Sequence, residues 1–160
     1  MQYAIRHDLR FIALRYCAVF GNGGSASRGM ARVRELIAES RAGREIAIPD
    51  ASGEDRAQLT FVSDAVDVTL RALEISSPRH FVYNVAGPPE NYISLTEYSA
   101  HVARLFPRAG PIAFLGRARS LGPVDTTRIR DDLGCTPRIT VQEGLRTMFA
   151  EEIVQGQSQA

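Results

Sequence analysis

Three arginines carry the clearest chemical signal in this sequence, because a guanidinium fork suits phosphate and carboxylate oxyanions. Arg56 lies just before a short strand-like segment, whereas Arg117 and Arg119 lie in a loop that contains two glycines. Two interpretations of Arg56 stay open: it binds an anionic ligand, or it forms a surface ion pair with Glu54 or Asp55. The loop has no acidic residue close in sequence. That favours anion binding there, although loops also carry charge for solubility.

The other reactive side chains do not form a recognisable group. His7, His80 and His101 are isolated from one another and from any cluster of Cys or carboxylates, so the sequence predicts neither a metal site nor a catalytic triad. Cys17 and Cys135 are far apart and lack metal-ligand spacing. We interpret them as two free, buried thiols in a reducing cytoplasm.

Composition excludes several classes of partner. The 160 residues carry 19 basic and 18 acidic side chains, a net charge of +1, so no electrostatic feature predicts binding to nucleic acid or to an anionic membrane. No apolar run approaches the roughly 20 residues that span a bilayer, and the amino end has no signal-peptide pattern. We therefore expect a cytoplasmic protein with no membrane segment.

The element that must position these side chains is a strand over residues 9–16. Phe11 and Ala13 fall on one face of it, and Ile12 and Leu14 on the other. Apolar residues on both faces are typical of a parallel strand that helices cover on both sides. Residues 81–86 show the same two-sided pattern and predict a second sheet strand. Shorter strands over 45–48, 58–62 and 111–115 predict a small subsidiary layer.

Helix signals alternate with these strands. Ser63 or Asp64 is expected to cap a helix that runs to Glu74, and its apolar residues surround most of the helix, which predicts heavy burial. Two capping boxes, 94–97 (SLTE) and 140–143 (TVQE), predict two further helix starts, and Gly134 is expected to close a short helix that ends at Leu133. The alternation of strands and helices predicts an α/β fold with a parallel component.

The predicted first strand needs neighbours, yet only eight residues precede it. We therefore expect residues 1–155 to form a single incomplete α/β domain, followed by a polar tail at 156–160. Because a strand without neighbours leaves its apolar side chains in water, we also expect the chain alone to behave poorly in solution.

Five stretches, in order, resemble the carboxyl half of the extended short-chain dehydrogenases/reductases, the NAD-dependent epimerase/dehydratase family. Residues 14–21 (LRYCAVFG) are similar to the family's L-R-x-x-N-V-Y-G strand and loop, and residues 56–64 (RAQLTFVSD) to its R-x-Q-F-x-x-V-D-D segment. The others are 83–87 (YNVAG) with the helix start at 94–97, then 125–137, and finally 143–145 (EGL). The resemblance implies the carboxyl-terminal part of a Rossmann-like parallel sheet, with strands near 9–16 and 81–86, and a small α/β substrate-binding lobe.

By this resemblance, Arg56, Arg117 and Arg119 would grip the diphosphate of a nucleotide sugar. Ala18 stands where many members have an Asn that contacts the substrate, so one hydrogen-bond donor is absent. The backbone of Tyr16 and Cys17 would border the nicotinamide. The implied cofactor is NAD or NADP, and the implied ligand is a nucleotide-sugar-like small molecule.

Two parts of the family's machinery are absent from these 160 residues. No G-x-x-G-x-x-G turn is present, since the glycines of residues 21–24 have neither that spacing nor a prompt following helix. No Y-x-x-x-K acid/base pair is present either, because the chain contains no lysine. The sequence therefore predicts a substrate-binding portion that does not bind the cofactor or catalyse the reaction alone.

Two alternatives stay open beside this one. In the first, the chain is a non-catalytic partner that binds nucleotide diphosphates or completes a sheet, in a homo-oligomer or with another chain. In the second, the chain is a truncated reading frame, which the nucleotides just upstream would reveal.

Overall fold

The computed structural model describes residues 6–7, 11–22, 38–39, 42–106, 108, 110–118 and 121–150. Parallel strand pairs and helices make up this part of the chain, which confirms the predicted α/β class. The strands are β1 (Ala13–Tyr16), β2 (Ala18–Phe20), β3 (Ile46–Ile48), β4 (Arg56–Phe61), β5 (Val82–Val85), β6 (Tyr92–Ser94) and β7 (Ile112–Phe114). The helices are α1 (Val62–Glu74), α2 (Leu95–Leu105), α3 (Thr127–Leu133) and α4 (Val141–Met148), with a 3₁₀ turn at Pro89–Asn91.

Both predicted sheet strands are present, and they pair with each other. β1 and β5 run parallel with Ala13 opposite Val82 and Tyr16 opposite Val85. Regular pairing is shorter than predicted, and the prediction for residues 9 and 10 lies outside the described residues. Phe11 is 39% exposed, while Ile12 and Leu14 are half-buried. This strand is therefore covered only in part by the described chain.

The shorter strands form two further small sheets. β2 pairs in parallel with β4, and β4 pairs antiparallel with β6, with Arg56 opposite Ser94. β3 pairs in parallel with β7. β6 was not predicted, because its three residues, between a 3₁₀ turn and a helix start, are too few to show a periodicity.

A closed apolar core joins the β2–β4–β6 sheet to helices α2 and α4. Both predicted capping boxes are present: in each, the N-cap side chain accepts from the amide three residues on, and the glutamate accepts from the N-cap amide. Gly144 of α4 must be small, because a Cβ there would come within 2.7 Å of the Phe20 and Phe61 rings. The buried members of this core are Phe20, Phe61, Tyr98, Val102, Val141, Leu145, Met148 and Phe149.

A second core lies between the β1–β5 pair and helices α1 and α3. Tyr83 and Val85 of β5 are fully buried against Val68 of α1 and Ile129 of α3. Gly134 ends α3 with φ of 64°, in the left-handed region, which confirms its predicted capping role.

The predicted start of α1 is wrong. The helix begins at Val62, directly after β4, and no side chain caps it. Asp64 lies inside the first turn, where its Oδ2 accepts from the amides of Arg138 (3.1 Å) and Ile139 (2.9 Å). The Asp64 carboxylate, predicted as a possible cap of its own helix, therefore binds the segment that precedes α4.

The prediction that α1 is heavily buried is wrong along one flank. Ala65, Val68 and Ala72 are buried, but three apolar residues at helical spacing are exposed: Val66 (49%), Leu70 (51%) and Leu73 (68%). A continuous apolar stripe on a helix is normally covered by another element. None of the helices in the described ranges is both long and apolar enough to cross a bilayer.

Candidate functional site

The candidate site lies where the chain passes from one sheet to another. β1 ends at Tyr16, the amide of Cys17 donates to Val85 O (2.9 Å), and β2 then begins at Ala18 beside Leu59 of β4. Two parallel strand pairs therefore separate at this point. Open α/β sheets place ligands at the carboxyl ends of strands where the strand order changes. The three residues predicted to border cofactor and substrate occupy that position.

The side chains at this point offer little chemistry of their own. The Tyr16 hydroxyl is hydrogen-bonded to Thr69 of α1, although the ring is exposed. Cys17 is half-buried rather than buried, and burial raises the pKa of its thiol. Ala18 has no polar group. At this point the described chain therefore offers a ligand mainly backbone groups, and the Cys17 thiol stays protonated at neutral pH.

Gln58 of β4 connects the segment that follows β5 with the segment that precedes α3, a role that the sequence did not single out. Its Nε2 donates to Gly87 O (2.7 Å), and its Oε1 accepts from the amide of Val124 (2.9 Å). Gly87 is required here, because a Cβ would meet Leu59 O at 2.1 Å. The only sequence signal for Gln58 was its place inside the family-like segment 56–64.

Asn91 is a second buried polar residue that the sequence did not reveal. Its Nδ2 donates to Leu59 O and to Ile139 O, both at 2.9 Å, and its Oδ1 accepts from the amide of Val141 (2.8 Å). The residue is 1% exposed. It therefore joins β4, the 3₁₀ turn and the start of α4 beneath the candidate site.

Arg56 has a carboxylate partner that the sequence analysis did not consider. Its Nη2 lies 3.2 Å from Glu97 Oε2. Its Nη1 donates to Tyr92 O (3.4 Å), and its Cζ lies 5.8 Å from the centroid of the Tyr92 ring. The β4–β6 pairing causes this, because it brings β6 and the first turn of α2 alongside Arg56.

The loop that carries the other two arginines begins and returns near Arg56. The amide of Gly116 donates to Ala51 O (2.8 Å), and that of Leu121 donates to Arg56 O (3.1 Å). Arg117 is exposed between these anchors. Arg119 lies outside the described residues. The structure thus brings Arg56 and the loop of Arg117 to one side of β4.

The glycine turn after β2 does not form a phosphate cradle in the described residues. Gly21 has φ of 143°, and a Cβ on it would lie 2.3 Å from Val62 Cγ1. Its missing side chain thus makes room for the start of α1. Asn22 Nδ2 donates to Met148 O (3.3 Å). These two residues are used in packing and do not fit the pyrophosphate of a dinucleotide.

A separate groove in the described part of the chain lies away from this site. It has a volume of about 530 Å³, between the charged flank of α1 and residues 134–138. Cys135 lines this groove, and burial of its thiol raises the pKa of that thiol. No group of three or more His, Cys, Asp or Glu that could hold a metal ion occurs in the described ranges. We assign no chemistry to this groove.

Comparison with known proteins identifies the fold. The sequence model of the NAD dependent epimerase/dehydratase family matches residues 1–86, and no curated protein matches the chain. Among solved structures, the UDP-glucose 4-epimerase of Thermotoga maritima with UDP-glucose is similar, with a TM-score of 0.75 and 20% identity over 98% of this chain and 49% of the epimerase. MoeE5 in complex with UDP-glucose and NAD has a TM-score of 0.75 and 25% identity, over 98% and 51%.

The L-threonine 3-dehydrogenase of Trypanosoma brucei is equally similar in fold, with a TM-score of 0.77 and 13% identity over 96% of this chain and 49% of that one. The chain therefore spans about half the length of the solved structures it matches. These similarities confirm the resemblance to extended short-chain dehydrogenases/reductases and its Rossmann-like fold. The family match covers more than half of the sequence, and on that ground this chain belongs to the NAD dependent epimerase/dehydratase family.

Proposed function

We propose that this chain is the substrate-binding portion of an NAD-dependent nucleotide-sugar epimerase or dehydratase, and that it does not transfer hydride by itself. The observation that carries the proposal is a mismatch. The fold matches such enzymes over nearly its whole length, yet these 160 residues contain no lysine. The tyrosine of a Y-x-x-x-K pair needs that lysine to lower its pKa.

Arg56 and Arg117 are the proposed contacts to the diphosphate, with Arg119 in the same loop. A part-exposed guanidinium beside an arginine-bearing loop attracts an anion of more than one charge. Ala18, with Tyr16 and Cys17, would face the sugar and the nicotinamide through backbone and small apolar surface. The missing Asn side chain at position 18 predicts weaker hydrogen bonding to the sugar.

NAD or NADP is the cofactor of the proposed whole enzyme, where it would accept and return hydride. MoeE5 in the comparison carries NAD. Of the described residues after β2, Gly21 packs against the start of α1 and Asn22 donates to Met148 O of α4. We therefore propose that the cofactor is held mainly by polypeptide other than residues 1–155, which we treat as one incomplete domain.

We propose that this polypeptide packs against β1 and α1. In the described part of the chain, β1 pairs only with β5, so one edge of it has no strand partner. An apolar groove of about 350 Å³ runs beside this edge, lined by Phe11, Ile12 and Leu14 of the β1 segment and by Leu73 of α1. A nucleotide-binding half that adds a parallel strand to β1 and a helix beside α1 would cover both features.

The same open edge favours the second candidate function, a non-catalytic partner that completes the sheet of another chain or binds nucleotide diphosphates without reaction. Calorimetric titration of the chain with UDP-glucose, dTDP-glucose and the free diphosphates, without cofactor, tests both. Binding of nucleotide sugars that the Arg56→Gln variant weakens would support the substrate-binding proposal. Equal binding of free diphosphate and nucleotide sugar would favour the second candidate, and no binding of any of these ligands would contradict both.

A further inference from the structure

The described part of the chain has two capping boxes of the same design, and within it an arginine lies at ion-pair distance from the glutamate of one box. Glu97 Oε2 accepts from the amide of Ser94 (2.7 Å) and lies 3.2 Å from Arg56 Nη2. Glu143 Oε2 accepts from the amide (2.9 Å) and hydroxyl (2.7 Å) of Thr140. Within the described residues, Glu143 has no arginine at ion-pair distance. Glu97 therefore pairs with an arginine in addition to capping its helix.

The guanidinium of Arg56 is already engaged at both terminal nitrogens. Nη1 donates to Tyr92 O, Nη2 is paired with Glu97, and Tyr92 lies against the Cζ side. Bidentate recognition of a phosphate uses two nitrogens of the fork together. Each terminal nitrogen keeps a second N–H, but a phosphate on this edge of the fork lies against the Glu97 carboxylate at Nη2, shares Arg56 with it and is repelled by its charge.

Glu97 can release Arg56 without loss of its helix cap. Its bond from the Ser94 amide and the bond from the Glu97 amide to Ser94 Oγ (3.1 Å) are independent of the arginine. The side chains of Arg56 and Glu97 are 36% and 49% exposed, so a ligand from solvent can reach the pair.

We propose that Glu97 competes with anionic ligands for Arg56 and so weakens the binding of a diphosphate-bearing ligand to this chain. The inference rests on the proposed function, in which Arg56 binds the diphosphate. A glutamate that only positioned Arg56 would have the opposite effect, because its removal would loosen the arginine and weaken binding. The sign of the change in affinity therefore distinguishes competition from positioning.

The test is Glu97→Gln, titrated calorimetrically with UDP and with inorganic pyrophosphate at low ionic strength. Glutamine at this position retains the capping box, so the helix start is preserved while the charge is removed. We expect the dissociation constants for both ligands to fall by up to about fivefold, the value of an exposed ion pair. Added salt should reduce the difference between the variant and the wild type.

Glu143→Gln is the matched control, because it makes the same change in the other capping box, away from Arg56. It should leave both dissociation constants unchanged, and both variants should melt within a few degrees of the wild type. Unchanged or weaker binding by Glu97→Gln, while Arg56→Gln still weakens binding, would overturn the competition and leave the proposed function in place. Binding that Arg56→Gln does not weaken, or no binding of UDP by the wild type, would contradict the proposed role of Arg56 and the competition with it.

Discussion

The two cores of this molecule differ in how completely the described chain covers them. The core beneath β2, β4 and β6 is enclosed by α2 and α4, and both helices begin with complete capping boxes. The core beneath β1 and β5 is closed on the side of α3 but leaves the outer edge of β1 and one flank of α1 exposed. The first region has the features of a self-contained lobe, and the second those of an interface.

α1 shows this difference within one helix. Its buried face includes Val68, which is 1% exposed, whereas Leu73, five residues on, is 68% exposed. The flank that faces residues 134–138 carries Asp67, Arg71 and Glu74. On the β1 side, Thr69 meets Tyr16 and Leu73 lines the apolar groove, whereas Leu70 borders the groove beside residues 134–138. α1 therefore keeps apolar side chains that the described chain does not cover.

The largest effect is expected from the closed region. Asn91→Ala removes three hydrogen bonds from a residue that is almost fully buried, and leaves two carbonyls and an amide without that partner. We expect the free energy of unfolding to fall by about 3–5 kcal/mol. Urea denaturation followed by far-UV circular dichroism measures it, with Glu90→Ala at an exposed neighbouring position as the control. A loss under about 1 kcal/mol would show that Asn91 does not join the elements as described.

A matched pair on α1 tests whether the two faces of that helix differ as the structure shows. Val68→Ala leaves a cavity in the second core and should cost about 2 kcal/mol of unfolding free energy. Leu73→Ala removes a larger side chain from an exposed position and should change stability by less than about 0.5 kcal/mol. Similar losses for the two variants would mean that Leu73 is covered in solution, for example by self-association, which light scattering would detect.

A smaller, pH-dependent effect is expected at the amino end of β5. Burial alone would raise the pKa of Asp132, but hydrogen bonds donated by the Tyr83 hydroxyl and the Arg79 amide, with the charge of Arg79, bring the pKa of this carboxyl below its ordinary value. A pKa that is lower in the folded than in the unfolded state stabilises the protein above the unfolded value, near pH 4, and this stabilisation disappears as the pH falls through the folded value.

The Asp132→Asn variant should therefore be less stable than the wild type at pH 6 to 7, and the difference between them should shrink below about pH 4. Urea denaturation at a series of pH values measures it, with Asp131→Asn as the exposed control. A difference that stays constant from pH 7 to pH 3 would contradict the charged state assigned to Asp132.

The sequence could predict what is local. That residues near 9–16 and 81–86 form sheet strands followed from two-sided apolar runs, and the capping boxes and Gly134 followed from residue types at fixed spacing. It could not predict contacts made across the fold. Asp64 resembled a helix cap because its partners, 138 and 139, are distant in the chain, and Glu97 was missed as the partner of Arg56 for the same reason.

Burial of α1 was also beyond sequence reasoning. A count of apolar residues around a helix shows that they need cover, but not whether the same polypeptide supplies it. Val66, Leu70 and Leu73 have the composition of a core and the exposure of a surface. Such a disagreement between pattern and burial points to the part of the molecule where a further polypeptide segment would pack.

The most direct test of the central proposal is a titration of the isolated chain with NADH and NADPH, followed by cofactor fluorescence. The absence of a Gly-rich phosphate turn and of any lysine predicts no saturable change up to millimolar cofactor. Saturable binding at micromolar concentration would contradict the proposal that this chain supplies the substrate-binding portion and needs other polypeptide to hold the cofactor.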